Sequence, residues 1–115
     1  MAFMGKITGA LALGLISLAP ALAEEEIAGR YISYGMNADG TRYQGAVEVV
    51  QDGPAVSFSW RLSGESYTGA GLMDGRVVAV DWGAPSPVIY VVMPNGELHG
   101  TWDNGAALEK LVPAN

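Results

Sequence analysis

The sequence predicts an all-β protein: a small antiparallel up-and-down meander of about eight strands that closes, or nearly closes, into a barrel. Three observations carry that expectation. From Arg30 onward, β-branched and aromatic runs of about six to nine residues recur. Each run gives way to a short group drawn from Gly, Asp, Asn, Ser and Pro, the residues that tight turns require. The apolar spacing of a surface helix is nearly absent from the same stretch.

The chain of 115 residues begins differently. Lys6 is the only charge in a segment where Ile7–Leu18 runs apolar, and Pro20-Ala21-Leu22-Ala23 then presents small residues two apart, just before Glu24-Glu25-Glu26. Those are the three parts of a secretory signal, with cleavage expected after Ala23. The apolar run falls short of the roughly 20 residues needed to cross a bilayer, and no cysteine is present to carry a lipid anchor. The expectation is therefore a signal over 1–23 and a single barrel-like domain over 24–115, periplasmic or secreted, with no stable membrane anchor.

Strands are expected near 29–35, 43–51, 55–62, 65–73, 76–82, 87–93, 97–103 and 106–112. The breakers include Asn37-Ala38-Asp39-Gly40, Asp52-Gly53-Pro54, Ser63-Gly64, Asp74-Gly75, Pro94-Asn95-Gly96 and Asn104-Gly105. Links this short join neighbours antiparallel in sequence order, which makes a meander. Closure of such a meander removes both exposed edges. The cleanest alternation is Val56, Phe58, Trp60 and Leu62 against Ser57, Ser59 and Arg61, one dry face and one wet. Arg76–Trp82 is apolar on both faces apart from Asp81, and Val88–Met93 is apolar on both faces throughout. A strand of that kind either has both sides covered or leaves an apolar outer surface; β-propensity with ordinary surface hydrophobicity is the favoured account of it, and a protein-contact face the alternative. Tyr43-Gln44-Gly45-Ala46 and Tyr67-Thr68-Gly69-Ala70 echo one another, with Leu98-His99-Gly100-Thr101-Trp102 as a weaker third copy. Glycine repeated inside strands points to sharp coiling, or to an aromatic ring lying over bare backbone.

Composition narrows the function. With the signal removed, five Lys and Arg stand against twelve Asp and Glu, a net charge of −7, which argues against nucleic acid and anionic membranes as partners. The absence of cysteine removes thiolate metal sites and thiol nucleophiles. His99 is the only histidine, with Glu97 and Thr101 as its neighbours by alternation; no Gly-x-Ser-x-Gly elbow accompanies it. It reads as a surface or hydrogen-bonded strand residue. The carboxylates are spread singly, chiefly in turns (Asp39, Asp52, Asp74) and on wet faces (Glu48, Glu65, Asp103), and show no glycosidase-like pair. No catalytic residue, metal site or cofactor is expected.

The aromatic residues offer most. Trp60, Trp82, Tyr90, Trp102, Tyr43 and Tyr67 are the candidate binding residues, since aromatic side chains line ligand pockets in small barrels. The same residues also serve as core, and for a domain this small the core reading is favoured.

The succession Gly29-Arg30-Tyr31, Asp39-Gly40-Thr41-Arg42-Tyr43-Gln44-Gly45, Ser59-Trp60-Arg61, Tyr67-Thr68-Gly69-Ala70-Gly71, Asp74-Gly75-Arg76 and Asn95-Gly96-Glu97-Leu98-His99-Gly100-Thr101-Trp102 resembles a group of short exported proteobacterial proteins commonly labelled fibronectin-binding. That group usually carries Gly-x-Glu near the end, where Ala107-Leu108-Glu109 is a partial match. A more distant likeness, through Gly-x-Tyr and Gly-x-Trp strand starts, is to avidin and lipocalin meander barrels. The resemblance implies a non-enzymatic exported module that contacts a protein partner, of extracellular-matrix type. Two alternatives stand beside it: a carrier of a small apolar ligand within an aromatic-lined barrel, and a periplasmic inhibitor of a lysozyme or protease. The oligomeric expectation is a monomer or a weak homodimer.

Overall fold

The computed structural model describes residues 25–114, so the expected signal segment and its cleavage point lie outside the described residues. Eight strands follow one another: β1 (Gly29–Met36), β2 (Arg42–Asp52), β3 (Ala55–Leu62), β4 (Glu65–Asp74), β5 (Val77–Asp81), β6 (Val88–Val92), β7 (Leu98–Trp102) and β8 (Ala107–Ala114). Each pairs antiparallel with its sequence neighbour, and β8 pairs antiparallel with β1, closing the barrel. The expected all-β meander is thus a complete barrel. Expected and observed strand bounds agree to within one or two residues, apart from Asp103, which opens a short 3-10 turn over Asp103–Gly105 rather than ending a strand.

The turns show why the links are so short. Ser63 and Gly64 both take positive φ, 52° and 81°, the pattern of a type I′ turn whose twist matches that of the strands it joins. Glycine bears that geometry without steric cost, and serine tolerates it in a tight two-residue link. Asp39 forms an Asx turn instead: its carboxylate accepts from the Thr41 N–H at 3.0 Å and from the Thr41 hydroxyl at 2.7 Å.

Alternation decides the inside. In β3, Val56, Phe58 and Trp60 are buried while Ser57, Ser59 and Arg61 face solvent, as the sequence predicts. The two doubly apolar strands are resolved by their neighbours. In β5 the charge of Asp81 must stay wet, which sends Val77 and Ala79 outward with it and Val78 and Val80 inward. Val78 lies opposite Tyr90, so β6 turns Val88, Tyr90 and Val92 inward and leaves Ile89 and Val91 outside. Phe58 stacks against Trp60 on one side and Tyr90 on the other, both with ring centroids 5.4 Å apart.

The echoed glycines answer to close backbone as well as to a ring. A Cβ on Gly100 would collide with the Tyr90 ring and the Ile89 carbonyl, one on Gly69 with the Asp81 carbonyl and the Val80 side chain, and one on Gly45 with the Arg61 carbonyl. Gly35, outside the echo, lies under the Tyr43 ring. Omitting Cβ at Gly100 and Gly35 lets large aromatic side chains lie flat along the barrel wall.

The two mouths differ. At one end the lead-in segment folds over the opening. Ile27 is buried there, its N–H donates to the Gln51 side-chain oxygen at 2.7 Å, and its carbonyl accepts from the Tyr31 hydroxyl at 2.6 Å. The Gln51 amide nitrogen ties down the Glu25 and Gly53 carbonyls as well. That end is plugged, and the other is left open.

Candidate functional site

At the open end lies a cup of about 240 Å³, walled by Tyr43, Trp60, Leu62, Tyr67, Trp82, Val88 and Trp102, with Glu109 among its lining residues and Asn37, Ser63 and Glu65 from the turns and strand ends around it. Up-and-down topology assembles it. The starts of β2, β4, β6 and β8 meet the ends of β1, β3, β5 and β7 at one mouth, so inward positions far apart in sequence become neighbours. The cup falls below the roughly 300–1,000 Å³ of pockets for drug-sized ligands. It suits a small molecule, or the end of a longer one.

Neighbouring wall rings are steeply inclined to one another. Tyr67 meets Trp82 at 79° with centroids 5.9 Å apart, Trp82 meets Trp102 at 89° and 5.8 Å, and Trp102 meets Tyr43 at 63° and 6.3 Å. Edge-to-face contacts of this kind are favoured by the ring quadrupoles. They hold the four rings in steeply inclined planes around the mouth.

Glu109 is buried, unlike the other carboxylates of the described residues. Its Oε1 accepts from the Tyr43 hydroxyl at 2.6 Å, and its Oε2 accepts from the Trp60 Nε1–H at 3.0 Å and the Tyr90 hydroxyl at 2.5 Å. A buried carboxylate is tolerable when its lone pairs are met in this way. The phenols respond to the setting. Burial first, then the neighbouring Glu109 carboxylate, pushes both Tyr43 and Tyr90 well above the usual tyrosine range, so each remains a donor.

Every aromatic N–H and O–H of the cup is already committed. Besides the three donors to Glu109, the Trp102 Nε1–H donates to the Tyr43 oxygen at 3.1 Å, the Trp82 Nε1–H to the Ser86 carbonyl at 3.1 Å, and the Tyr67 hydroxyl to Glu65. The walls therefore offer a visitor ring faces and carboxylate oxygens. No lysine, arginine or histidine lines the cup.

The six candidate residues share one interior. Trp60, Tyr43, Tyr67, Trp82 and Trp102 wall the cup, and Tyr90 lies beneath, hydrogen-bonded to Glu109 and within reach of the Trp60 Nε1–H at 3.2 Å. Core and wall divide along the barrel axis: Phe58, Trp60 and Tyr90 are buried, while Tyr43, Tyr67, Trp82 and Trp102 are half-buried at the mouth. Sequence reasoning met Glu109 only as part of the partial Gly-x-Glu match and did not count it among the binding residues. Alternation places it between Ala107 and Leu111 on one set, but Lys110 puts a charge on the other set too. His99 sits outside, its Nε2 2.8 Å from Glu97 Oε1, as alternation predicts. Among the described residues, no three His, Asp or Glu side chains gather as metal ligands.

No family model matches the chain, and no curated protein or solved structure matches it either. The resemblances to fibronectin-binding-labelled proteins and to avidin and lipocalin barrels therefore gain no support from those comparisons.

Proposed function

We propose that the protein is an exported, non-enzymatic binding module whose open barrel mouth takes a small, largely apolar ligand. The observation that carries this reading is the cup itself: four half-buried aromatic rings in steeply inclined planes around an open space of about 240 Å³, over a buried carboxylate that accepts three hydrogen bonds. A barrel built only for stability has no need of an unfilled mouth faced with its costliest side chains, whereas a binding site needs rigid apolar walls set in advance. Export rests on the character of the first 23 residues.

Tryptophan fluorescence tests it. A small apolar molecule that enters the cup should change the emission saturably, and Trp82→Ala or Trp102→Ala should weaken that binding about tenfold, the worth of one aromatic wall. Emission that stays constant across a panel of small apolar molecules would sink the reading.

A second reading, contact with a protein partner, is favoured by the outward row of β4–β6. Val77 pairs with Val91 and Ala79 with Ile89, and Leu72 lies opposite Ala79, so these side chains form one exposed apolar strip. It predicts that Ile89→Lys and Val91→Lys abolish capture by a matrix or envelope protein while leaving the domain folded. Retained capture by both variants would dismiss it.

A further inference from the structure

We infer that the ligand of this cup is a small organic cation, a methylated ammonium head group held against the ring faces with its charge toward Glu109 and Glu65. The inference rests on the small-ligand reading and narrows it by chemistry.

Three features converge. The first is what the walls lack. An anionic or acceptor-rich ligand needs free donors, yet the indole and phenol donors of the cup are all spent, and the uncommitted ones belong to the turn residues Asn37 and Ser63. An anion would enter a space that holds two carboxylates and no basic side chain. Its desolvation would go unanswered.

The second feature is what the walls present. Tyr67, Trp82, Trp102 and Tyr43 all line the cup and form a chain of edge-to-face contacts, so the ring surface each leaves uncovered there points in a different direction from its neighbour's. The face of an aromatic ring is the negative part of its quadrupole, and tryptophan attracts a cation most strongly. Perpendicular faces suit a roughly spherical charge better than a flat molecule, which would stack on one wall only.

The third feature separates kinds of cation. A primary ammonium brings three N–H donors that all need acceptors. Here Glu109 already accepts three hydrogen bonds and is only 5% exposed, and Glu65 already accepts from Tyr67. A quaternary or heavily methylated nitrogen has few or no donors to satisfy and a charge spread over methyl groups. It needs only ring faces at contact distance and negative charge nearby, and the cup supplies both. The volume also fits: about 240 Å³ admits a trimethylammonium group with a short tail toward solvent.

The test is calorimetric titration of the protein with choline, with its neutral isostere in which carbon replaces the quaternary nitrogen, and with benzyl alcohol as an uncharged aromatic probe. Choline should bind at least about tenfold more tightly than the isostere, the least that a desolvated cation–π site provides. Glu65→Gln, at the exposed edge of the cup, should lower choline affinity several-fold and the isostere's affinity by clearly less; an equal loss for both would count against the cation assignment. Trp82→Leu should cost both ligands, and choline more. Equal or tighter binding of the isostere would overturn the cation assignment and leave the ligand cup standing, as would binding of benzyl alcohol alone. If none of the three binds, the cation assignment and the small-ligand reading fall together.

Discussion

Glu109 concentrates the residue-scale argument. It links Tyr43 at the mouth to Trp60 and Tyr90 in the core, so the carboxylate that borders the cup also braces the barrel. The charge-neutral amide is a poor replacement. Whichever way a glutamine turned, its NH₂ would face a group that now donates, and Trp60 has no means to accept. Glu109→Gln is expected to lower stability by about 1–2 kcal/mol, and Glu109→Leu by about 3 kcal/mol or more because several buried donors then lose their acceptor. Chemical denaturation of both variants checks the order; an equally stable leucine variant would show that the donors find other partners. At this scale the sequence was least informative. The tryptophans and tyrosines stood out by type, but a glutamate followed by a lysine in β8 looks the same whichever side is buried. Only closure of β8 onto β1 and β7 settles the matter.

At the scale of the element, turn chemistry and alternation were legible nearly throughout. Two-residue links such as Ser63-Gly64 and the strict in-out pattern of β3 follow from side-chain type alone. The sequence left the inward set of β5 and β6 open: in the structure β5 keeps the charge of Asp81 wet and so puts Val77 and Ala79 outside, whereas β6 has no charge and takes its orientation from the pairing of Tyr90 with Val78. The glycines repeated within strands were read as marks of sharp coiling or of a ring over bare backbone; Gly45, Gly69 and Gly71 lie against neighbouring carbonyls, and Gly100 lies against both the Tyr90 ring and the Ile89 carbonyl. Gly100→Ala should therefore destabilise the barrel by about 1–3 kcal/mol, since the core ring has nowhere to retreat. Gly35→Ala should act elsewhere, moving the Tyr43 ring that walls the cup and weakening ligand binding more than stability. Measured unfolding free energies and fluorescence titrations of the two variants separate these effects. A Gly100→Ala protein as stable as the parent would contradict the close packing described here.

For the whole molecule, closure of the sheet holds together a chain that has no cysteine to crosslink it. The barrel has no free sheet edge, one mouth is plugged by Ile27 and Gln51, and the buried hydrogen bonds around Glu109 cross from β2 and β3 to β6 and β8. Those buried phenols give the fold a pH signature. Below pH 10.0 the phenols of Tyr31, Tyr43 and Tyr90 keep their protons in either state and add no pH dependence. Above it the unfolded chain loses protons that the folded barrel retains, because burial raises all three, so stability falls as pH rises through that window. Tyr90→Phe should reduce the protons released on alkaline unfolding by about one. An unchanged alkaline slope in that variant would argue that Tyr90 ionises normally in the barrel. The fold class and strand order were legible from 92 residues of turn and strand grammar, whereas full closure was left open until β8 was seen to pair with β1. The division of the aromatics into core and cup was not, because sequence spacing does not reveal which mouth the lead-in segment covers.

The most direct measurement is an NMR titration of the protein with small neutral and cationic organic molecules, following the indole N–H signals of its three tryptophans. A binding cup predicts that Trp82 and Trp102 shift together and saturably, Trp60 less, while the amides of outward Ile89 and Val91 stay fixed. Indole signals that remain still for every probe, or shifts confined to the outer face of β5 and β6, would contradict it.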